Sequence, residues 1–301
     1  MSRPRLPRAF AVVLASVTLT SAGVAVAVAQ TAAKPTGDFG GGAIAVPVDE
    51  DTVAKDMLLS IRARSNGEIG VDGQMFGSCA VGTIKGSTRL AADGRFRLTG
   101  SATRRPVLGV SERTSFTVAG RLTAEGGQGT AKMRVRVRRK GRATKLCESR
   151  TVRWTVGQAG GPSPAAPAPA ARATLFGMTS QNGPRAKRAV VLHAANGGRA
   201  IERFTFSFRT SCDKRRIVVT EDLNVTPEFD VAADGSFSET ERFRATFSDV
   251  IVRTTVVVDG RFDVGGGASG TVSVIENYTN ARNGKRVDSC ETGTLAWSAR
   301  P

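Results

Sequence analysis

A basic stretch near the middle of the chain has a spacing that could bind anions. Between residues 130 and 138, arginines alternate with apolar residues: Arg134, Arg136 and Arg138 with Met133, Val135 and Val137. In a β-strand, alternate side chains point to opposite faces, so the pattern predicts three guanidinium groups on one face. Further basic residues extend the charge around the next turn: Arg139, Lys140, Arg142 and Lys145.

Two interpretations fit this basic stretch. One is a solvated face that aids solubility. The other is a docking strip for an anionic cell-wall polymer or an acidic glycan, held by counterion release and weakened by salt. The register of the following strand depends on the turn. A two-residue turn at Lys140-Gly141 places Cys147 on the arginine face, whereas a three-residue turn places it with Val135.

Residues for catalysis are scarce. His193 is the only histidine, so a Ser-His-Asp or Cys-His mechanism would have to use it. Its position at a strand end indicates a half-buried structural role instead. Asp230, Asp234 and Glu239 could be grouped as acids or metal ligands, but no spacing pairs two carboxylates for glycoside hydrolysis. The sequence therefore predicts no catalytic residue, no metal ligand and no cofactor.

The elements that position these residues belong to a duplicated unit. The first copy has a set of landmarks at Ala91-Ala92-Asp93-Gly94, Gly120, Gly129, Cys147 and Trp154. The second copy repeats them at Ala232-Ala233-Asp234-Gly235, Gly260, Gly270, Cys290 and Trp297. The offset grows only from 140 residues (Gly120 to Gly260) to 143 (Trp154 to Trp297). An exposed tryptophan would suit sugar stacking, but a repeated tryptophan on a closing strand favours a core anchor.

The four cysteines follow the same duplication. Four cysteines allow three pairings. Because a unit that once folded alone needed its bridge inside itself, the duplication predicts Cys79–Cys147 and Cys212–Cys290. Zinc ligands normally come in close pairs such as Cys-x-x-Cys, and no two cysteines here are close in sequence. Disulfides also indicate an oxidising compartment.

The charge of the chain is strongly positive and uneven. The formal net charge is +17. Residues 35–157 hold 21 Lys and Arg against 11 Asp and Glu, a net of +10. Residues 173–301 hold 17 against 15, a net of +2. The first copy of the unit therefore dominates long-range attraction to polyanions.

The N-terminus has the pattern of a secretion signal. Arg3, Arg5 and Arg8 precede an apolar stretch, and Ala27-Val28-Ala29 offers small residues for cleavage. The uncharged stretch 9–33 is long enough to span a membrane, but its second half is mostly small residues, which favours cleavage. The resulting organisation is a signal peptide at 1–29, an irregular lead-in at 30–55, a first β domain at 56–156, a Pro/Ala/Gly linker at 157–172 and a second β domain at 173–301.

The fold class predicted for both domains is all-β. Short strands separated by turns predominate, and Asn66-Gly67 is a strong hairpin signal. Gly120 is expected to separate two strands, and Gly126-Gly127-Gln128 to form a loop before the arginine strand. This pattern predicts two tandem antiparallel β-sandwiches or small β-barrels, and the four prolines of the linker predict a semi-rigid spacer.

One resemblance adds to this. The chain carries Phe-Gly-x-Thr-Ser-Gln at 176–181, Ala-Asp-Gly-x-Phe at 233–237, Gly-x-Phe at 260–262 and Cys-x-x-Gly-x-x-x-Trp-x-Ala at 290–299. This set resembles secreted tandem β domains of actinobacteria. The resemblance implies export and a β fold, and it implies no activity. The first unit lacks the Thr-Ser-Gln opening, so it is a diverged copy.

The function expected from the sequence is that of a secreted or cell-wall-associated, non-enzymatic binding or structural protein. Its expected partner is an anionic cell-wall polymer or an acidic glycan, not a nucleic acid, and no membrane span is expected after signal cleavage. Two other classes stay open. One is a secreted hydrolase that acts on a polysaccharide through an unrecognised carboxylate site. The other is a secreted inhibitor or interaction protein.

Overall fold

The structure is a computed structural model that describes residues 34–43, 56–104, 110–158, 164–214, 220–225, 228–247 and 250–301. The predicted signal peptide at 1–29 lies outside these ranges. Every ladder between the described strands is antiparallel, and the described residues contain no helix. None of them therefore forms a helix that could cross a membrane. The all-β prediction is confirmed.

The first domain is a nine-stranded sheet with the order β4-β3-β2-β1-β9-β7-β6-β5, and β8 also pairs with β7. Its strands are β1 (Gly37–Ala43), β2 (Met57–Ala63), β3 (Glu68–Phe76), β4 (Val81–Arg89), β5 (Arg95–Arg104), β6 (Val110–Leu122), β7 (Gly126–Arg139), β8 (Arg142–Glu148) and β9 (Val152–Gln158). The two ends of this order meet, because Thr88 Oγ1 on β4 donates to the Arg97 carbonyl on β5 (3.1 Å). The sheet is thus a nearly closed barrel.

The second domain is an eleven-stranded sheet that forms a half-barrel. Its strands are β10 (Ala173–Asn182), β11 (Lys187–Ala194), β12 (Ala200–Arg209), β13 (Ser211–Cys212), β14 (Thr220–Val225), β15 (Phe229–Asp230), β16 (Ser236–Phe247), β17 (Val250–Phe262), β18 (Ala268–Asn280), β19 (Arg286–Glu291) and β20 (Leu295–Arg300). Phe204, Phe206 and Phe208 on β12 belong to its core.

The two sheets repeat the same pairing plan. β1 lies between β2 and β9, as β10 lies between β11 and β20. β7 pairs with β6 on one side and with both β9 and β8 on the other. β18 does the same with β17, β20 and β19. The repeated landmarks of the sequence therefore occupy equivalent places in the two sheets.

Strand β1 corrects the prediction of an irregular lead-in at 30–55. Residues 37–43 form a full strand, paired with β2 and β9. Its sequence, Gly-Asp-Phe-Gly-Gly-Gly-Ala, shows no alternation of apolar and polar residues, so it gives no strand signal. Glycine is required in this strand because neighbouring backbone lies too close to leave room for a side chain. A Cβ on Gly40 would overlap the Gly177 carbonyl of β10, and a Cβ on Gly42 would overlap the Met57 carbonyl.

Both predicted disulfides are confirmed. Cys79, in the turn after β3, is bonded to Cys147 on β8. Cys212 on β13 is bonded to Cys290 on β19. Each bridge lies within one domain, and no free cysteine is present among the described residues.

Each domain is built around one buried tryptophan that lies over a pair of glycines. Trp154 is 1% exposed and Trp297 is 3% exposed, so both are core anchors. Gly120 on β6 pairs with Gly129 on β7, which pairs in turn with Trp154. A Cβ on either glycine would collide with the indole ring. These glycines lie inside strands, so Gly120 does not separate two strands and Gly126 begins β7 rather than a loop.

Replacing Gly120 by alanine is expected to destabilise the first domain by about 1–3 kcal/mol or more, because the new methyl group would have to displace the Trp154 ring. Urea unfolding followed by tryptophan fluorescence measures this. Gly141→Asn is the control. Gly141 has φ +78°, which asparagine tolerates, and open space around it. Equal stability of Gly120→Ala and Gly141→Asn would contradict the packing argument.

The predicted linker is only partly a spacer. Residues 157 and 158 belong to β9. From residue 164 the chain lies against the second domain. The Ala166 amide donates to the Phe262 carbonyl (3.1 Å), the Val264 amide to Pro164 (3.0 Å) and the Gly197 amide to Ala170 (2.8 Å). Proline has no amide donor, but the Pro164 carbonyl still accepts a hydrogen bond, so residues 164–172 form a segment docked on the second domain. Residues 159–163 lie outside the described ranges.

A buried ion pair joins the two sheets. Both sheets belong to one compact unit that runs from Ala33 to Pro301. The Arg203 guanidinium on β12 donates to both carboxylate oxygens of Asp56, at 2.6 and 3.3 Å, and each side chain is 1% exposed. Nearby, the Arg185 amide donates to Asp72 (2.7 Å). Leu58 on β2 packs with Ala189 and Val191 on β11. The contact between the sheets therefore combines a buried ion pair with apolar packing.

Replacing Arg203 by methionine is expected to lower the free energy of unfolding by about 3–5 kcal/mol, because it leaves the Asp56 carboxylate buried without its cation. The double variant Asp56→Leu/Arg203→Met should lose less. Arg64→Met is the control, since the Arg64–Glu68 pair is 60% and 36% exposed and should contribute less than about 1 kcal/mol. Urea unfolding of the full chain measures all three. A similar loss in Arg64→Met and Arg203→Met would overturn this assignment.

Candidate functional site

The alternation predicted for the arginine strand is present in β7. Arg134, Arg136 and Arg138 are exposed, and Met133 and Val135 lie in the core. Consecutive arginines on this face are separated by about 7 Å along the strand. The guanidinium groups therefore form a row on the outer face of the barrel.

The turn after β7 combines both predicted alternatives. Arg139 pairs with Arg142, so the turn has the two residues Lys140-Gly141, both with positive φ. A bulge between Val137 and Arg138 then shifts the register by one residue. Cys147 consequently lies opposite Val135 and is buried, as the three-residue turn predicts.

The other basic residues of this hairpin do not all join the row. The shifted register places Lys145 opposite Val137, on the other face of the hairpin from Arg136. Arg139, Lys140 and Arg142 lie at the tip and are exposed. They can extend the charge beyond the end of the barrel, but they are not part of the row.

Neighbouring strands add cations that the sequence argument missed. The register places Arg113 of β6 beside Arg136, and Ser115 beside Arg134. Arg97 on β5 lies across Ala119 from Thr130, and Arg153 on β9 lies on the other side of Thr130. We call this surface the basic face and define it by seven exposed residues: Arg97, Arg113, Lys132, Arg134, Arg136, Arg138 and Arg153. Within each of β5, β6, β7 and β9, the sequence shows that these cations occupy alternate positions. It does not show that the four strands are neighbours, which is what brings the cations together.

The basic face carries little compensating negative charge. Glu148 on β8 forms an ion pair with Arg134, at 2.7 Å. Among the described residues, no carboxylate lies within ion-pair distance of the other members of the face. Uncompensated cations side by side repel one another, so an anion bound there would relieve this repulsion.

Two shallow grooves cross the basic face. The larger, of 470 Å³, runs over β5, β6 and β7 and contains Arg97, Lys132 and Arg134. Side-chain hydroxyls line it as well: Thr99, Ser115, Thr117, Thr130 and Thr151. The smaller, of 300 Å³, is lined by Arg113, Ser115, Arg134, Arg136 and Leu146. The surface is therefore a concave site that combines cations with hydroxyl groups.

The equivalent surface of the second domain is nearly neutral along its central strand. Ladder registers match Lys132 with Ser273, Arg134 with Ile275, Arg136 with Asn277 and Arg138 with Thr279. An acid, Asp259, stands where the first domain has Ala119, and it accepts a hydrogen bond from Ser238 (2.7 Å). The row of cations on the central strand is thus specific to the first domain, whereas Arg253 of β17 occupies the position of Arg113 of β6.

His193 is more deeply buried than the sequence suggested, at 7% exposed. Its Nδ1 is 2.6 Å from Thr174 Oγ1, and its Nε2 is 3.4 Å from Glu202 Oε2, which is too poorly aligned for a hydrogen bond. Arg172 donates to the other oxygen of Glu202 (2.7 Å). Burial lowers the pKa of His193, and Arg172 and Arg203 add to this, against the attraction of Glu202. This environment holds the imidazole neutral and fixed.

A pH dependence of stability follows from His193. Its ordinary pKa is 6.5, and burial lowers the pKa in the folded state. As pH falls through about 6.5, the unfolded chain therefore binds the proton first and stability decreases. We expect urea unfolding to show a larger loss between about pH 7.5 and about pH 5.5 for the native chain than for His193→Gln. Identical losses in the two proteins would show that His193 does not cause this dependence.

The acids singled out in the sequence do not form a recognisable centre. Asp234 is exposed in the turn before β16. It accepts hydrogen bonds from Ser236 N (3.0 Å) and Oγ (2.7 Å), which lower the pKa of this carboxyl. Asp230 lies on β15 and Glu239 on β16. A buried acid that no sequence pattern marks is Glu276, which is 1% exposed and accepts hydrogen bonds from Tyr278 Oη (3.1 Å) and Thr210 Oγ1 (3.4 Å). These contacts are those of an internal hydrogen-bond network.

Cys212, Asp288 and Cys290 lie close enough together to hold a metal ion by distance alone. Both sulfurs belong to the disulfide, however, and a disulfide offers no thiolate. This cluster is therefore not a metal site in the oxidised protein.

Comparisons with protein-family models, with curated proteins and with solved structures find no match to this chain. The resemblance to secreted actinobacterial β domains accordingly stays a prediction.

Proposed function

We propose that this chain is a secreted, non-enzymatic protein whose first domain binds an anionic polymer at the basic face. The observation that carries this proposal is the convergence of Arg97, Lys132 and Arg134 on one hydroxyl-lined groove, with Arg136 and Arg138 continuing the row along β7. The two disulfides and the predicted signal peptide support an extracellular location.

A polymer suits this face better than a small anion. The row on β7 repeats along the strand, and the cations of β5, β6 and β9 widen it into a strip several strands across. Exposed cations of this kind each bind a single anion weakly, because water screens them. A polyanion that covers many of them releases its counterions together, so the binding free energy accumulates.

The test is binding of long-chain inorganic polyphosphate to the mature full-length chain over a range of salt concentrations. The variant Arg134→Gln/Arg136→Gln/Arg138→Gln should bind more weakly. By analogy with nucleic acids, at about 0.7–0.9 per phosphate contact, the slope of log K against log salt should become shallower by about 2 to 3. These side chains are exposed, so melting curves should show little loss of stability.

The second domain supplies a control with the same change in net charge. Arg242, Arg244 and Arg253 are exposed on its corresponding face, and Arg242→Gln/Arg244→Gln/Arg253→Gln should retain most of the affinity and the salt slope. If both triple variants lose binding equally, attraction depends only on net charge and the basic face is not a site. If the native chain binds no polyphosphate and no acidic glycan at low salt, the proposed function is wrong.

A further inference from the structure

We propose that the polymer bound at the basic face is an acidic glycan, one that carries both anionic groups and sugar hydroxyls, and not a bare polyphosphate. This inference rests on the proposed function and specifies its ligand. It comes from the uncharged groups of the two grooves, which a polyanion made only of phosphate could use only in part, since its oxygens accept hydrogen bonds but donate none.

The first such group is the set of hydroxyls in the larger groove. Lysine and arginine side chains only donate hydrogen bonds, whereas a threonine or serine hydroxyl both donates and accepts. Thr99 and Thr117 lie side by side, with their Oγ1 atoms 3.4 Å apart, and Thr117 pairs with Lys132 across the ladder. The groove therefore presents acceptors and donors next to cations. A polyphosphate has only acceptor oxygens, while a polyuronate has hydroxyls that donate to Thr99 or Thr117 and carboxylates that pair with Lys132.

The second group is Leu146, which is 56% exposed. It lies opposite Arg136 on β8 and lines the smaller groove together with Arg113, Ser115 and Arg134. An exposed leucine among arginines gives a polyphosphate nothing to contact. It offers an apolar surface to the C–H face of a sugar ring, which would be removed from water on binding.

The duplication separates these features from what the fold needs. At the position of Thr117 the second domain has Val257, and at the position of Leu146 it has Ser289. The second domain therefore forms the same strands with an apolar residue in place of Thr117 and a polar residue in place of Leu146. The two residues of the first domain are accordingly free to serve a ligand, and each can be exchanged for a residue that the same ladder already accommodates.

The experiment compares two probes, a polyuronate and long-chain inorganic polyphosphate, on the mature full-length chain. The variant Thr117→Val/Leu146→Ser keeps every charge. We expect it to bind the polyuronate about tenfold more weakly, as the loss of a hydrogen bond and an apolar contact implies. Its affinity for polyphosphate should fall less, because the Thr117 hydroxyl can only donate to a phosphate oxygen and Leu146 has no apolar group to contact there. Its salt slope with either probe should stay unchanged. The reciprocal variant Val257→Thr/Ser289→Leu in the second domain should alter neither affinity.

Each outcome separates this inference from the proposed function. A selective loss for the polyuronate supports the glycan. An unchanged polyuronate affinity, or an equal loss for both probes, overturns the glycan but leaves the charge-dependent site, which the triple arginine variant tests independently. Native protein that binds polyphosphate but no polyuronate overturns the inference in the same way.

Discussion

The packing of one tryptophan over two glycines is the constraint on which each domain depends. In the first domain, Trp154 lies across Gly129 and Gly120, and in the second Trp297 lies across Gly270 and Gly260. A flat ring of this size can reach the core at that point only where two adjacent strands lack side chains. The ring in turn contacts a phenylalanine that follows the Asp-Gly turn, Phe96 or Phe237. Turn, glycine pair and closing strand are thereby fixed together, which accounts for the landmarks that the two halves retain.

Because this constraint acts on the inner face, the outer face can change without loss of the fold. The strand β7 shows this most clearly. The inward residue Met133 of β7 corresponds to another apolar residue, Val274, in β18. The outward residues Lys132 and Arg134 correspond to the uncharged residues Ser273 and Ile275. A duplicated fold of this kind allows one copy to carry a row of cations on its central strand while the same strand of the other copy carries none on that face. The difference in net charge between the halves is therefore concentrated where a ligand can reach it.

The sequence predicted the features that local patterns encode, and it missed those that depend on strand order. Alternation in β7, the two disulfides and the all-β class follow from spacing and duplication, and all three are confirmed. Glycine is unfavourable inside strands, so Gly120 predicts a break, yet in the fold Gly120 lies inside β6 because it contacts Trp154. The contributions of Arg97 and Arg113 to the basic face could not be predicted either, since they require knowing that β5, β6 and β7 are adjacent.

The contact between the two sheets explains why the basic face stays accessible. The second domain packs on β1, β2 and β9, where Gly40 approaches Gly177, Gly157 approaches the Phe176 carbonyl and the Asp56–Arg203 pair is buried. In the strand order of the first barrel, β6 and β5 follow β7, and β9 and β7 separate them from β1. Glycine in β1 thus serves the packing of one domain on the other. The cations of β5, β6 and β7 lie on strands that follow β9 away from this contact, and Arg153 on β9 is itself exposed. A ligand that follows the row on β7 can therefore bind without any change in the contact between the domains.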